Sequence, residues 1–380
     1  MAKVLWLNWS GGGNLPPSLG IARVLSERGH EVAFAGRPEM VPRVKRAGFR
    51  AIEVSRSYEQ ALRYPNKWIP RAASFLTSPA VAEEISDLVP EEAPDLLIVD
   101  AMFPVALVAA KRFKGPNVVI CHTCVNRMLE PWRNMLAMLG ALRVEAGFDP
   151  LPTALEDLWM SRDELLVTTL EELDRPPAGL APANKIHHVG PVLEAERNAA
   201  PVTLPWSASD PTPLVLVSFS TMPEQGSVPK FQRTIDAIAG LAVHAVVTVG
   251  DSIDAGALAP AANVAVFATA DHDALMRQSS LVVTHGGHGT MMRALKHGLP
   301  MVVIPGLASD QPVNAAAVQT WGAGKALPPD ATTHMIRAAI EDVLGSPQNL
   351  AKAQQLSQRL AGVDGAANAA DELERQLRAT

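Results

Sequence analysis

The sequence predicts two α/β domains, each a doubly wound parallel sheet covered by helices. Three observations predict this. The chain has 380 residues, more than one hydrophobic core usually serves. Short apolar runs alternate with longer amphipathic segments, the pattern of parallel strands joined by helical crossovers. The alternation stops once, in an Ala-, Pro- and Ser-rich stretch near residues 191–211 that has no periodicity.

In the first half "VLWLNW" reads as a strand, a helix follows from near Pro17 to Arg28, and "EVAFAG", "DLLIVD" (95–100) and "NVVICHT" are further strands. In the second half the strands are "LVLVSF", "HAVVTVG", "NVAVFA", "LVVTHGG" and "PMVVIPG". The expected division is a first domain over residues 1–195, a linker over 196–211 and a second domain over 212–361. The tail, 362–380, reads as a helix that can pack back on the first domain.

Composition narrows the function classes. With 48% hydrophobic residues, 19% charged and a net charge of −6, no basic surface is available for nucleic acid. No apolar run reaches the roughly 18 residues of a membrane span, and the amino-terminal stretch lacks an export-signal pattern. Two cysteines, Cys121 and Cys124 in "CHTC", fit a reducing compartment, so the expected location is cytoplasmic. Zinc would need about four ligands and there is no second Cys pair, so neither a metal nor a redox role is expected of this motif.

The strongest motif is "SSLVVTHGGHGTMMRALKHGLPMVVIPGLASDQPVNA", residues 279–315. A strand at 281–284 runs into the turn His285-Gly286-Gly287-His288-Gly289, and Thr290 opens a helix closed by Gly298. Glycines at a strand's carboxyl end let backbone N–H groups approach an anion, and the helix start adds its dipole, so the turn suits a pyrophosphate. After the next strand, Asp310 and Gln311 lie on the same rim. A carboxylate and an amide together suit vicinal sugar hydroxyls.

These stretches, with "LSERGHEVAFAG", "PDLLIVD", "HHVGPVL" and "LVLVSFSTM", resemble the inverting nucleotide-sugar glycosyltransferases of the GT-B fold, especially bacterial enzymes that decorate natural products such as macrolides. The resemblance implies two Rossmann-like domains facing a central cleft, with acceptor on the amino side and activated sugar on the carboxyl side. It implies that His285 and the N–H groups of Gly286, Gly287, Gly289 and Thr290 hold the diphosphate. Asp310 and Gln311 would hold the sugar, and Ser218 with Thr221 the floor of the site. No cofactor and no metal are implied, because helix dipole and hydrogen bonds neutralise the departing diphosphate. Relatives that use uridine nucleotides commonly carry Glu at the position of Arg293. Arginine accepts no hydrogen bond from a ribose hydroxyl, so it leans the donor from UDP towards dTDP, whose sugar lacks the 2'-hydroxyl.

The loop "SGGGNLPP" near the first strand fails the G-x-G-x-x-G dinucleotide spacing, which argues against an NAD-dependent oxidoreductase. Aligned on the family it puts Asn14 where the catalytic histidine stands, and an amide is no base. Losing a general base costs about 10² to 10⁴ in rate. Three routes for the proton stay open. Asp100 closes an apolar strand and can act as base with Asn14 orienting the acceptor, or it can merely cap the next helix. His122 follows the adjacent strand and has a suitable basicity. Alternatively the acceptor is a phenol or an electron-rich ring carbon that needs little help. The side-chain-free Gly12 and Gly13 then give a bulky acceptor clearance.

Tyr58, Tyr64, Trp68, Phe75, Met128, Trp132, Met135, Met138, Trp159 and Met160 cluster in poorly marked segments. Of these, Trp68, Phe75, Met128 and Trp132 are candidate walls of an apolar acceptor pocket. His30, His187 and His188 are assigned to structure. The expectation is therefore a monomeric or homodimeric glycosyltransferase moving a sugar from a nucleoside diphosphate to a small hydrophobic acceptor. The alternatives are a nucleotide-sugar-binding helper that has lost its histidine, a GT-B epimerase, and a lipid-sugar transferase; the last would need a basic-apolar membrane patch that the amino half lacks.

Overall fold

The computed structural model describes residues 1–9, 12–56, 75–145, 158–159, 162–174, 185–193, 203–207, 209–219, 227–306 and 310–379. Packing divides the chain into two units, Met1–Glu194 with Asp364–Thr380, and Ala195–Val363.

The first unit contains β1 (Lys3–Asn8), α1 (Leu15–Glu27), β2 (Glu31–Gly36), α2 (Val41–Arg46), β3 (Arg50–Glu53), α3 (Pro79–Glu92), β4 (Leu96–Asp100), α4 (Pro104–Ala109), β5 (Asn117–Cys121), α5 (Val125–Glu145), β6 (Glu164–Val167) and β7 (Ile186–His188). The second contains β8 (Leu214–Ser218), α6 (Val228–Ile238), β9 (His244–Thr248), β10 (Val264–Phe267), α7 (His272–Met276), β11 (Ser279–Thr284), α8 (His288–Lys296), β12 (Met301–Val303), α9 (Asp310–Thr320), β13 (Gly324–Ala326), α10 (Thr333–Leu344) and α11 (Pro347–Leu360). The last helix, α12 (Gly365–Arg378), returns to the first unit.

The strand order is β3-β2-β1-β4-β5-β6-β7 in the first sheet and β10-β9-β8-β11-β12-β13 in the second. Every described pairing is parallel. Central strands such as "LLIVD" and "LVLVS" are buried throughout, which is why they read as unbroken apolar runs rather than as alternation. Each order reverses once, between β1 and β4 and between β8 and β11. At such a reversal neighbouring crossovers leave in opposite directions and the carboxyl ends of the strands stand open.

Four strands carried no sequence signal. β3 is half charged and lies on a sheet edge, and β13 has three residues including Lys325 on another edge. β7 is three residues, two of them histidine, and β6 begins with Glu164, a buried carboxylate paired by Arg375. The helix expected to open at Thr290 begins at His288, with Gly287 as its cap.

α12 closes the first core. Ala369, Ala370 and Leu373 are buried against Leu19, Leu25 and Val189. Asp364 caps the helix by accepting from the Ala366 and Ala367 amides. A Cβ on Gly365 would sit 2.4 Å from the Gly190 carbonyl oxygen, so the chain passes there without a side chain. Around this contact, Arg28 pairs with Asp371 and Glu374, His30 with Glu374, and His187 with both Glu164 and Glu372. Arg375 bonds the same two carboxylates, which makes the Glu164-His187-Glu372 group an ionic clasp on α12. Leu373→Ala should lower the first unit's stability by about 2–5 kcal/mol, whereas Leu350→Ala on the exposed face of α11 should change stability by less than about 0.5 kcal/mol. Urea denaturation of the two variants checks this.

Candidate functional site

At the reversal of the first sheet, polar side chains close three apolar strands. Asn8 ends β1, Asp100 ends β4 and His122 follows β5. α1 faces them with Asn14 and Ser18. Asn14 stands at the helix N-cap, yet its side chain makes no cap. Its Nδ2 donates instead to Asp100 Oδ2 at 2.8 Å and to Asn8 Oδ1 at 3.2 Å. Asn8 Nδ2 donates to Ser18 Oγ at 3.1 Å, and Ser18 passes its own hydrogen to the Asn14 carbonyl at 2.8 Å.

Ser18 Oγ also lies 3.1 Å from His122 Nε2, which joins the histidine to the network. The same nitrogen lies 3.5 Å from Asp100 Oδ2. The two candidate bases thus form one pair. Asp100 Oδ1 accepts from the Met102 amide at 2.8 Å, so one oxygen does the local capping work while the other meets Asn14 and His122. Asp100 is 2% exposed, and burial pushes its carboxyl up to about 6 against the opposing hydrogen bonds of Asn14 and Met102.

Gly12 has a φ of 95°, a conformation suited to glycine, and a Cβ on Gly13 would meet nothing within 4 Å. Phe75 and Met128 are buried, with Phe75 stacked on Phe103 at 5.2 Å, and buried Trp132 packs edge-on to Trp159 at 5.1 Å. These three side chains pack within the unit. Trp68, Tyr58, Tyr64 and Met160 lie outside the described residues, as does Thr221. The "CHTC" thiols are free and buried, and burial pushes Cys121 up, the reverse of a reactive thiolate. His188 stands 3.6 Å from Asp174, whose carboxylate accepts the first amides of α5.

At the reversal of the second sheet, β11 delivers His285 beside the buried Ser218 that ends β8. The His285 ring bonds to the Ser218 backbone. Burial, and then the charge of Lys230, pull it down to about 4, so it is neutral at pH 7. Gly286 has a φ of 86°, and a Cβ there would lie 2.9 Å from the Gln311 carbonyl oxygen. A Cβ on Gly287 would lie 2.6 Å from His285 Nε2, while Gly289 is open. Gly289 and Thr290 belong to the first turn of α8, where amides have no partner within the helix.

Asn314, buried on α9, donates to the Gly286 carbonyl at 2.8 Å and holds the turn. Gln311 Oε1 accepts from the Gly306 amide at 2.6 Å, so this oxygen fixes the loop after β12. Asp310 opens α9, and burial pushes its carboxyl up to about 6. Arg293 is buried on α8 and pairs with Asp273, which also holds His297 at 2.7 Å. Sequence reasoning missed Asn8, Ser18, Asn314 and Lys230. Asn8 gave the same signal as Asp100, a polar residue closing an apolar run; the other three sit within helices and look like surface residues in the sequence.

Residues 232–375 match the family described as erythromycin biosynthesis protein CIII-like, C-terminal domain. The chain is 23% identical to the NDP-glycosyltransferase YjiC of Bacillus subtilis (strain 168) over 386 residues, covering 95% of this chain and 94% of that relative. Among solved structures, the glycotransferase of kitacinnamycin superposes with a TM-score of 0.79 at 26% identity, over 99% of each chain. The spinosyn rhamnosyltransferase SpnG complexed with thymidine diphosphate superposes with a TM-score of 0.74 at 21% identity, over 98% of this chain and 100% of that one. The matched carboxyl-terminal domain, the relatives and the shared architecture agree on a glycosyltransferase of the GT-B fold, similar to enzymes of natural-product biosynthesis.

Proposed function

We propose that this enzyme transfers a sugar with inversion, and without a metal ion, from a nucleoside diphosphate to a hydroxyl, phenol or electron-rich ring carbon of a small hydrophobic acceptor. The single observation that carries the reading is the turn at His285: an uncharged, half-buried ring, two glycines that admit no side chain, and the bare first turn of α8. Oriented amides of this kind stabilise charge as it develops on a leaving diphosphate. Asp310, beginning the next helix, accepts from the sugar hydroxyls, and Gln311 keeps the loop before it in register. The complex of the spinosyn enzyme with thymidine diphosphate supports dTDP as the nucleotide, with UDP as the alternative. Arg293 acts here by tying α8 to α7 through Asp273. The buried free thiols fit a reducing, cytoplasmic setting, and no described helix is long and apolar enough to cross a membrane.

On the acceptor side the Asp100–His122 pair takes the proton. Asn14, standing where relatives keep histidine, fixes the carboxylate and the acceptor without titrating. A carboxyl near 6 is mostly ionised at pH 7 yet still basic enough to help a phenol or alcohol. A screen of dTDP- and UDP-sugars against mixed phenolic acceptors, read by product mass, tests the whole reading. A product of acceptor plus one sugar is expected, and its absence across the panel would favour a nucleotide-sugar-binding helper.

Two substitutions probe the parts. Asp100→Asn should lower turnover by at least about 10²-fold with little change in nucleotide affinity, and should remove the rise of kcat/KM with pH near 6. Because the folded pKa lies above the ordinary carboxyl value of 3.8, the stability that Asp100 contributes is full below about pH 4 and lost as pH rises through 6. The same variant should therefore be more stable than the parent at pH 8, by up to about 3 kcal/mol, with no gain at acid pH. Thermal unfolding at the two pH values checks the sign. Asp310→Asn should weaken the nucleotide sugar by about 10-fold or more while the free nucleoside diphosphate binds as before. Equal weakening of both would move Asp310 from the sugar to the phosphates.

A further inference from the structure

The surroundings of Lys230 are unusual for a lysine. It lies in the first turn of α6, behind the cap formed by Ser227. The ammonium donates to the carbonyl oxygens of Ile304 and, at 3.2 Å, Pro305, the two residues that follow β12. It stands 4.6 Å over the ring of Phe219, the residue that follows β8. Its charge also reaches His285 after β11, where it is the second cause of that ring's lowered basicity. One cation is thus held above the carboxyl ends of the three adjacent strands β8, β11 and β12.

Among the described residues no carboxylate pairs with Lys230, whereas buried Arg293 has Asp273 and Arg375 has Glu164. Burial, reinforced by Arg233, pulls the ammonium down to about 8. Carbonyls and a ring face orient a charge of this kind but do not neutralise it. The site therefore carries a partly desolvated positive charge near the turn at His285.

We infer that Lys230 binds the diphosphate of the donor and neutralises it as it leaves, a role that rests on the proposed function above. In the transfer step the acceptor oxygen forms the new bond to the anomeric carbon and its proton passes to the Asp100–His122 pair. The bond from that carbon to the β-phosphate oxygen breaks, and its electron pair stays on the phosphate. The added negative charge meets the Lys230 ammonium, which is already in place and needs no reorganisation. An ammonium suits this task because it is a compact point charge with three rotatable donors, so it can hold two carbonyls and still direct a proton at phosphate.

Calorimetry of dTDP and UDP, with thymidine and uridine as phosphate-free controls, tests the role in the full-length protein. Lys230→Gln keeps donors for the two carbonyls and removes the charge. It should weaken the diphosphates by about 10- to 100-fold and leave nucleoside affinity within about twofold, while Lys230→Arg should recover most of the loss. Should Gln impair folding, the Arg variant and the salt dependence of the parent still decide: diphosphate binding must weaken with ionic strength more steeply than nucleoside binding. Diphosphate affinity unchanged in Lys230→Gln, or equally salt-insensitive diphosphate and nucleoside binding by the parent, overturns the role of Lys230. A parent protein that binds neither dTDP nor UDP overturns the donor reading beneath it.

Discussion

In a parallel sheet every strand ends on the same side, and helices returning over both faces seal that side except where the strand order reverses. Both sheets of this protein reverse once, and at both reversals polar side chains replace the apolar ones that fill the rest of the strands. Buried Asn8 and Asp100 stand at one with half-buried His122; buried Ser218 and Thr284 stand at the other with half-buried His285. The apolar cores beneath are ordinary. Their consequence is that charge and hydrogen-bonding capacity meet at a dry rim, where each interaction is stronger than in water and each unmatched group costs more.

That setting decides protonation. The same burial that lifts Asp100 and Asp310 to about 6 holds His285 near 4, so near neutrality each rim has a carboxylate that remains basic and the second has an imidazole that is uncharged. Asn14 shows the trade clearly. An asparagine at a helix start usually caps it, for about 1 kcal/mol. Here the amide leaves the helix start uncapped and turns to Asp100, which identifies the carboxylate as the group the loop is arranged around. In the proposed reaction a residue that cannot titrate holds the carboxylate, and the proton passes to the Asp100–His122 pair behind it.

Much of this was legible in the chain because burial leaves a strong signature. Fully buried strands read as continuous apolar runs, and the glycine turn at 285–289 could be placed because only glycine tolerates the backbone at Gly286 and the close approach at Gly287. Edge strands such as β3 and β13 were silent, since a half-solvated strand of three or four residues has neither length nor pattern. The Asp100–His122 contact was also beyond reach: each residue was a candidate alone, but their pairing depends on the register of β4 against β5, which no local spacing records. Lys230 was the most hidden. In an amphipathic helix a lysine ordinarily faces water, and only the fold turns this one towards the ends of three strands. Phe75 and Trp132 show the converse, large side chains in weakly periodic segments that pack inward.

Amide hydrogen exchange during nucleotide addition addresses the central claim most directly, because it reports where the diphosphate rests rather than whether it binds. With saturating dTDP or UDP, the account predicts slowed exchange at the amides of Gly286, Gly287, Gly289 and Thr290, by about tenfold or more, with residues 12–18 unchanged. Exchange at 286–290 indifferent to either nucleotide, or protection confined to the first unit, would contradict it.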